Sequence, residues 1–205
     1  GSNYRYTELQ AAIGIEQFKK LNFILKYREK LARVLDKRLD QIPGITIQKL
    51  EDECNHAYYM YPIKFNSETF GISRNAFVQA VSAELPKPKF WDTTPMAEGY
   101  IKPLYLSPLY QKRIALGSKG YPWSINRETY YNYSKGLCPV TEKLYESELI
   151  VSPLVREGIS EKDINDFADA IEKVVLNINE LRCHFSKNED VKIYDPLAAI
   201  EKNID

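Results

Sequence analysis

Apolar side chains recur at steps of three and four from Leu9 through Ala12, Ile13 and Leu21, and again from Ile24 through Tyr27, Leu31, Val34, Leu35, Leu39 and Ile42. That spacing puts them on one face of an α-helix. Thr7 and Gln10 form a capping-box pair at the start, Asn22 offers a second start, and Pro43-Gly44 is a stop. The pattern predicts a long helical arm over residues 1–42, broken near Asn22. From Ile45 the period shortens to two. Ile45 and Ile47 predict a short strand, and the aromatic-rich run His56–Phe65 a longer one, with Pro62 assigning it an edge or bulged position. His56 is read as a structural residue of that strand.

Ser73 is an N-cap for a helix carrying Phe77, Ala80 and Val81, ended by Pro86. Six prolines between 86 and 122 exclude long regular elements there and predict a large loop, a kind of segment that is usually functional when ordered. Thr141–Glu148 predicts a short helix and Leu149–Val151 a strand. Ser160 and Asp163 cap a helix whose apolar stripe runs from Ile164 through Phe167, Ile171 and Val174 to Ile178 and Leu181. Residues 195–204 add a possible short helix in a weakly patterned tail, 184–205. The element order predicts an α+β fold, a small antiparallel sheet with helices on one face. The arm takes residues 1–42, a small domain 43–183 with its Pro-rich loop at 86–122, and the tail the remainder.

Composition narrows the function more than it names it. The 205 residues are 44% hydrophobic and 27% charged, with 28 basic and 28 acidic side chains. Zero net charge lacks the footprint of a nucleic-acid binder or a polybasic membrane binder, and no apolar run is long enough to span a bilayer. The expectation is a cytoplasmic protein without nucleic-acid or membrane partners. Three cysteines without C-x-x-C spacing, together with two histidines, support neither a disulfide framework nor a metal site. Cys138, beside Pro139, reads as a packed thiol rather than a nucleophile.

No motif for a catalytic triad, zinc protease, P-loop or dinucleotide fold is present. One segment has chemical content. Gly1-Ser2-Asn3-Tyr4-Arg5 precedes a helix N-terminus, where unpaired N–H groups and the dipole favour an anion, and Asn and Arg both supply donors. Helix-entry packing accounts for the same residues, and both readings stay open on spacing alone.

The run from Gly1 to Leu21 resembles the signature G-x-N-Y-R-x-x-E-L-Q-A-A-I-G-x-x-Q-L-x-K-L of the DegT/StrS-type sugar aminotransferases, enzymes dependent on pyridoxal phosphate (PLP). The resemblance continues through Pro43-Gly44-Ile45, Tyr100–Tyr105, Cys138–Leu144, Ile150–Pro153 and Ser160–Ile164, covering about residues 1 to 182. It implies the C-terminal small domain of a PLP-dependent transferase of fold type I. It also implies that the PLP-binding lysine and the partner of the pyridine nitrogen lie upstream, so the chain alone is expected to be inactive. The implied reaction moves an amino group from glutamate or glutamine to a keto sugar or cyclitol, in a homodimer.

Carried over by residue, Asn3 matches the family asparagine that holds the PLP phosphate across the subunit interface, and Arg5 the motif arginine near the cofactor or the donor carboxylate. Lys102 and Tyr105 are substrate-side candidates, with packing as their competing role. Tyr105 stands where many nucleotide-sugar enzymes of the family carry His, which keeps cyclitols and other keto sugars open. A PLP-dependent sugar dehydratase of the same family and a cofactor-free binding or dimerisation module are the alternatives.

Overall fold

The computed structural model describes residues 4–86, 94–125 and 131–185. Helix α1 runs unbroken over Glu8–Leu39. The Thr7 side chain accepts from the Gln10 amide while Gln10 reaches back, the reciprocal cap expected. Asn22 starts nothing. Its neighbours Leu21, Ile24 and Leu25 are good helix formers and no proline intervenes, so the helix passes through and the predicted break is corrected. The chain turns at Gly44, whose φ of +92° suits glycine and whose missing Cβ leaves room for the Phe70 ring.

Strands β1 (Ile45–Ile47) and β2 (Tyr61–Phe65) follow, then the short helix α2 (Ser67–Phe70) and α3 (Arg74–Ala83), capped by Ser73. β3 is the pair Ala97–Glu98, unforeseen from the sequence. A 3-10 turn at Leu104–Leu106 leads to α4 (Pro108–Lys112). After it come α5 (Pro139–Lys143), a π-helical turn at Leu144–Glu148, β4 (Leu149–Ser152), α6 (Glu161–Leu176) and α7 (Ile178–Phe185). The stripe expected to run through Leu181 on one helix is divided at Asn177, which leaves helical geometry at the end of α6. The tail helix expected at 195–204 lies outside the described residues.

The sheet is antiparallel in the order β1-β2-β4-β3. β2 is therefore central, not an edge, and shorter than the predicted His56–Phe65 run. Both corrections have local causes. Tyr58 takes a positive φ of 47°, held by its amide donating to His56 Nδ1 at 2.8 Å, so residues 56–58 form a turn and His56 is not a strand residue. Pro62 is tolerated because β1 pairing stops at Ile63, which leaves β4 as its only strand neighbour.

Tyr61, Ile63 and Phe65 alternate inward and meet Phe77 and Val81 of α3, Phe167 and Ile171 of α6, and Leu31, Leu35 and Leu39 of α1. This two-layer packing of helices on one sheet face is the α+β arrangement expected. Phe65 stacks on Phe70 with centroids 4.8 Å apart and leans on Phe77 at the same distance. Polar contacts fix the rear half of the arm. Arg38 donates to Glu172, Asp169 and the Asn165 carbonyl of α6, Arg28 to Glu157, and Tyr27 to the Ile159 carbonyl.

Ser160 caps α6 by accepting from the Asp163 amide while Asp163 returns to the Ser160 amide. Ser160→Ala is expected to destabilise the domain by about 1 kcal/mol, the usual cost of a lost side-chain cap, read as a lower urea midpoint at unchanged slope.

Candidate functional site

The residues singled out by sequence fall in two places. The first is the front of α1. Asn3 lies outside the described residues. Tyr4 and Arg5 are exposed just before the helix, and Tyr6 turns back so that its hydroxyl lies over Gly14. The first turn offers amides at the positive end of the dipole, and the Arg5 fork adds a cation, a donor set that fits the edge of an anionic group such as a phosphate. Glu8 in the same turn carries the opposite charge. Residues 8–23, a stretch of about 24 Å at 1.5 Å per residue, hold Leu9, Ile13, Ile15, Phe18 and Phe23 in solvent, with Phe18 75% exposed. Apolar residues point to both sides of this half-helix, interspersed with charged Glu16, Lys19 and Lys20.

The second place is the excursion between β3 and α5, residues 99–138, described over 99–125 and 131–138. Lys102 is half-buried at its start, and Tyr105 is buried in the 3-10 turn. The Tyr105 hydroxyl donates to Glu142 Oε1. Glu142 also accepts from the Gly136 amide at 2.8 and 3.0 Å and from the Cys138 amide at 3.2 Å. Gly136 has a φ of +99°, which aims its N–H at the carboxylate at no steric cost only because it is glycine. Gln111 bridges the carbonyls of Tyr105 and Tyr133, and Trp123 Nε1 donates to the Tyr133 hydroxyl at 2.9 Å. Tyr110 packs edge-on against both Trp123 and Tyr133.

Burial, then the bond to Glu142, pushes the Tyr105 hydroxyl up to about 12. The same bond, with the Gly136 and Cys138 amides, holds the Glu142 carboxyl below its ordinary range. Neither group is poised to exchange a proton near neutral pH, so the pair orders the chain rather than acting as an acid–base couple. Arg5 and the two excursion residues stand apart, one at the exposed end of the arm and the others packed on the body. Glu142 falls within the Cys138–Leu144 segment of the family resemblance, but its partner Tyr105, 37 residues away, is not legible in the sequence.

A carboxylate whose folded value is depressed binds fewer protons folded than unfolded. Its contribution is full above the unfolded value and is lost as pH falls through the folded one. The excursion is therefore expected to loosen below the ordinary carboxylate range, read by Trp123 fluorescence in a Trp91→Phe background between pH 7 and 3. Glu142→Gln should flatten that response.

Among the described residues no group of three or more His, Cys, Asp or Glu side chains is placed to hold a metal, and no helix is long and apolar enough to cross a membrane. Cys54 and Cys183 are exposed and Cys138 is half-buried, and none of them forms a disulfide among the described residues.

Comparison with known proteins gives one consistent result. A sequence model of the DegT/DnrJ/EryC1/StrS aminotransferase family matches residues 1–172. The chain is 26% identical over 168 residues to the spore coat polysaccharide biosynthesis protein SpsC of Bacillus subtilis, covering 82% of this chain and 36% of that protein. It is 27% identical over 188 residues to the L-glutamine:2-deoxy-scyllo-inosose aminotransferase of Streptoalloteichus tenebrarius, covering 89% of this chain and 40% of that one. The fold matches that of DesV from S. venezuelae with a TM-score of 0.61 at 16% identity, over 85% of this chain and 38% of that one. The chain thus spans about two fifths of the length of these proteins.

Proposed function

The chain belongs to the DegT/DnrJ/EryC1/StrS aminotransferase family, and from that membership we propose that it is the C-terminal part of a PLP-dependent enzyme that aminates a keto sugar or cyclitol. The observation that carries this reading is the family match over residues 1–172, joined to the span of about two fifths of the relatives' length. In the proposal the PLP-binding lysine lies in polypeptide upstream, glutamate or glutamine is the donor, and the enzyme works as a cytoplasmic homodimer. The apolar first half of α1, exposed here, is the surface that the upstream polypeptide and a second subunit enclose.

When bound, PLP supplies the electron sink for moving the amino group. The residues of this chain hold and orient. Asn3 and Arg5 donate to anionic oxygen at the front of α1, the cofactor phosphate or the donor carboxylate. Lys102 meets the acceptor side, and Tyr105 serves it through the loop that it anchors. The deciding experiment assays a protein extended upstream with glutamate or glutamine against a panel of keto sugars and keto cyclitols, with product mass as the readout. Amination by the extended protein and none by the chain alone is expected. Turnover by the chain alone, or an inert extended protein, would overturn the proposal.

A further inference from the structure

The structure assigns Glu142 a role as a positioning residue. We propose that its buried carboxylate ties the described parts of the excursion, residues 103–125 and 131–138, to each other before any ligand arrives, making them a prebuilt recognition element for the acceptor. The word acceptor rests on the function proposed above; the positioning does not.

Two separate pieces of chain converge on this one side chain, the 3-10 turn through Tyr105 and the approach to α5 through Gly136 and Cys138. Glu142 is 7% exposed. Its own amide donates to the Cys138 carbonyl at 2.9 Å, so the residue is fixed at both ends. An ionised acceptor that takes charge-assisted bonds from three donors is the strong form of such a tie. A second tie is built onto the first. Gln111 joins the backbone of Tyr105 to that of Tyr133, and Tyr133 carries the aromatic cluster with Tyr110 and Trp123. Half-buried Tyr and Trp rings pair an apolar face with a polar tip, which suits a polyhydroxylated ring. A loop that ordered only on binding would forfeit affinity to that ordering; one tied by Glu142 does not. Among the described residues the Tyr105 hydroxyl and the two amides donate to no carboxylate but Glu142, and the nearby Lys135 pairs with Glu146.

Amide hydrogen exchange on the chain as it stands tests the positioning. Gly136 and Cys138 amides are expected to be protected. In Glu142→Gln they should exchange about tenfold faster or more, the loss of a bond to a charged group, while β2 and β4 amides are unchanged. Unchanged exchange at Gly136 and Cys138 in a folded variant overturns the proposal. Should the variant lose β2 and β4 protection as well, Tyr105→Phe decides. It keeps the carboxylate and is expected to speed exchange severalfold at Leu106 and Ser107, and no change there overturns the proposal.

In the upstream-extended protein, Glu142→Gln should raise KM for the keto acceptor by more than it lowers kcat. A fall confined to kcat would contradict the recognition role. If the extended protein aminates nothing, the functional reading fails, and the exchange result still decides the positioning.

Discussion

Arg74→Met is expected to destabilise the domain by about 3 kcal/mol, the cost of leaving the buried Asn75 side-chain oxygen and the part-buried Glu146 carbonyl without the guanidinium's donors at about 1–3 kcal/mol each. Arg74 is 1% exposed and has no carboxylate partner within ion-pair distance among the described residues. Its guanidinium is instead spent on oxygens of neutral groups. Nη1 donates to the Tyr145 and Leu149 carbonyls at 2.7 and 3.0 Å, Nη2 to the Glu146 carbonyl at 3.0 Å, and Nε and Nη2 to Asn75 Oδ1. The π-helical turn exposes carbonyls that a regular helix would pair, and Arg74 answers them from the first position of α3. Burial lowers the guanidinium's proton affinity, with Glu98 acting in the opposite direction. Methionine keeps the stem and removes the fork. The Leu149 carbonyl retains the Gly99 amide, so the loss falls on Asn75 Oδ1 and the Glu146 carbonyl. Arg74→Lys should recover little, because one ammonium cannot span donors set by a planar fork. Urea unfolding at unchanged slope measures the effect, and a change under about 0.5 kcal/mol, the range of an ordinary surface substitution, would contradict this account.

Phe77→Ala is expected to cost about 3–5 kcal/mol, the range for removing a buried aromatic ring and leaving its cavity. Phe77 is fully buried, with Phe65 and Phe70 ring centroids at 4.8 and 5.6 Å. Those neighbours come from β2 and α2, stacked on each other and held by strand pairing and by the Asn66 cap, so the site cannot collapse freely. Phe18→Ala is the matched control. The same ring removed from the exposed half of α1 should change stability by under about 0.5 kcal/mol. If both variants cost the same, the division of α1 into a packed rear and an unpacked front is wrong.

What the sequence made legible follows the range of the interactions. The Thr7, Ser73 and Ser160 caps, the Gly44 turn, β1 and β4 depend on neighbours within a few residues, and all were readable. Asn22 looked like a start only because asparagine caps helices when a turn precedes it. Here favourable neighbours on both sides carried the helix through. The His56–Phe65 run had the composition of a strand throughout, yet a side-chain bond from His56 bent its first half. Period and propensity do not encode that bond. The same limit hid Arg74 and Glu142. Each is a charged side chain that composition assigns to the surface, and each is buried by partners about 40 to 75 residues away. The front of α1 carries a motif that the sequence displays, while the ties that order the excursion are not displayed there.

The most direct measurement of the central claim is a PLP absorbance titration of this chain beside the same protein extended upstream. Under the proposed function the shifted cofactor band develops only in the longer protein, with the chain alone leaving the spectrum of free PLP. A band formed by the chain alone, or by neither protein, would contradict it.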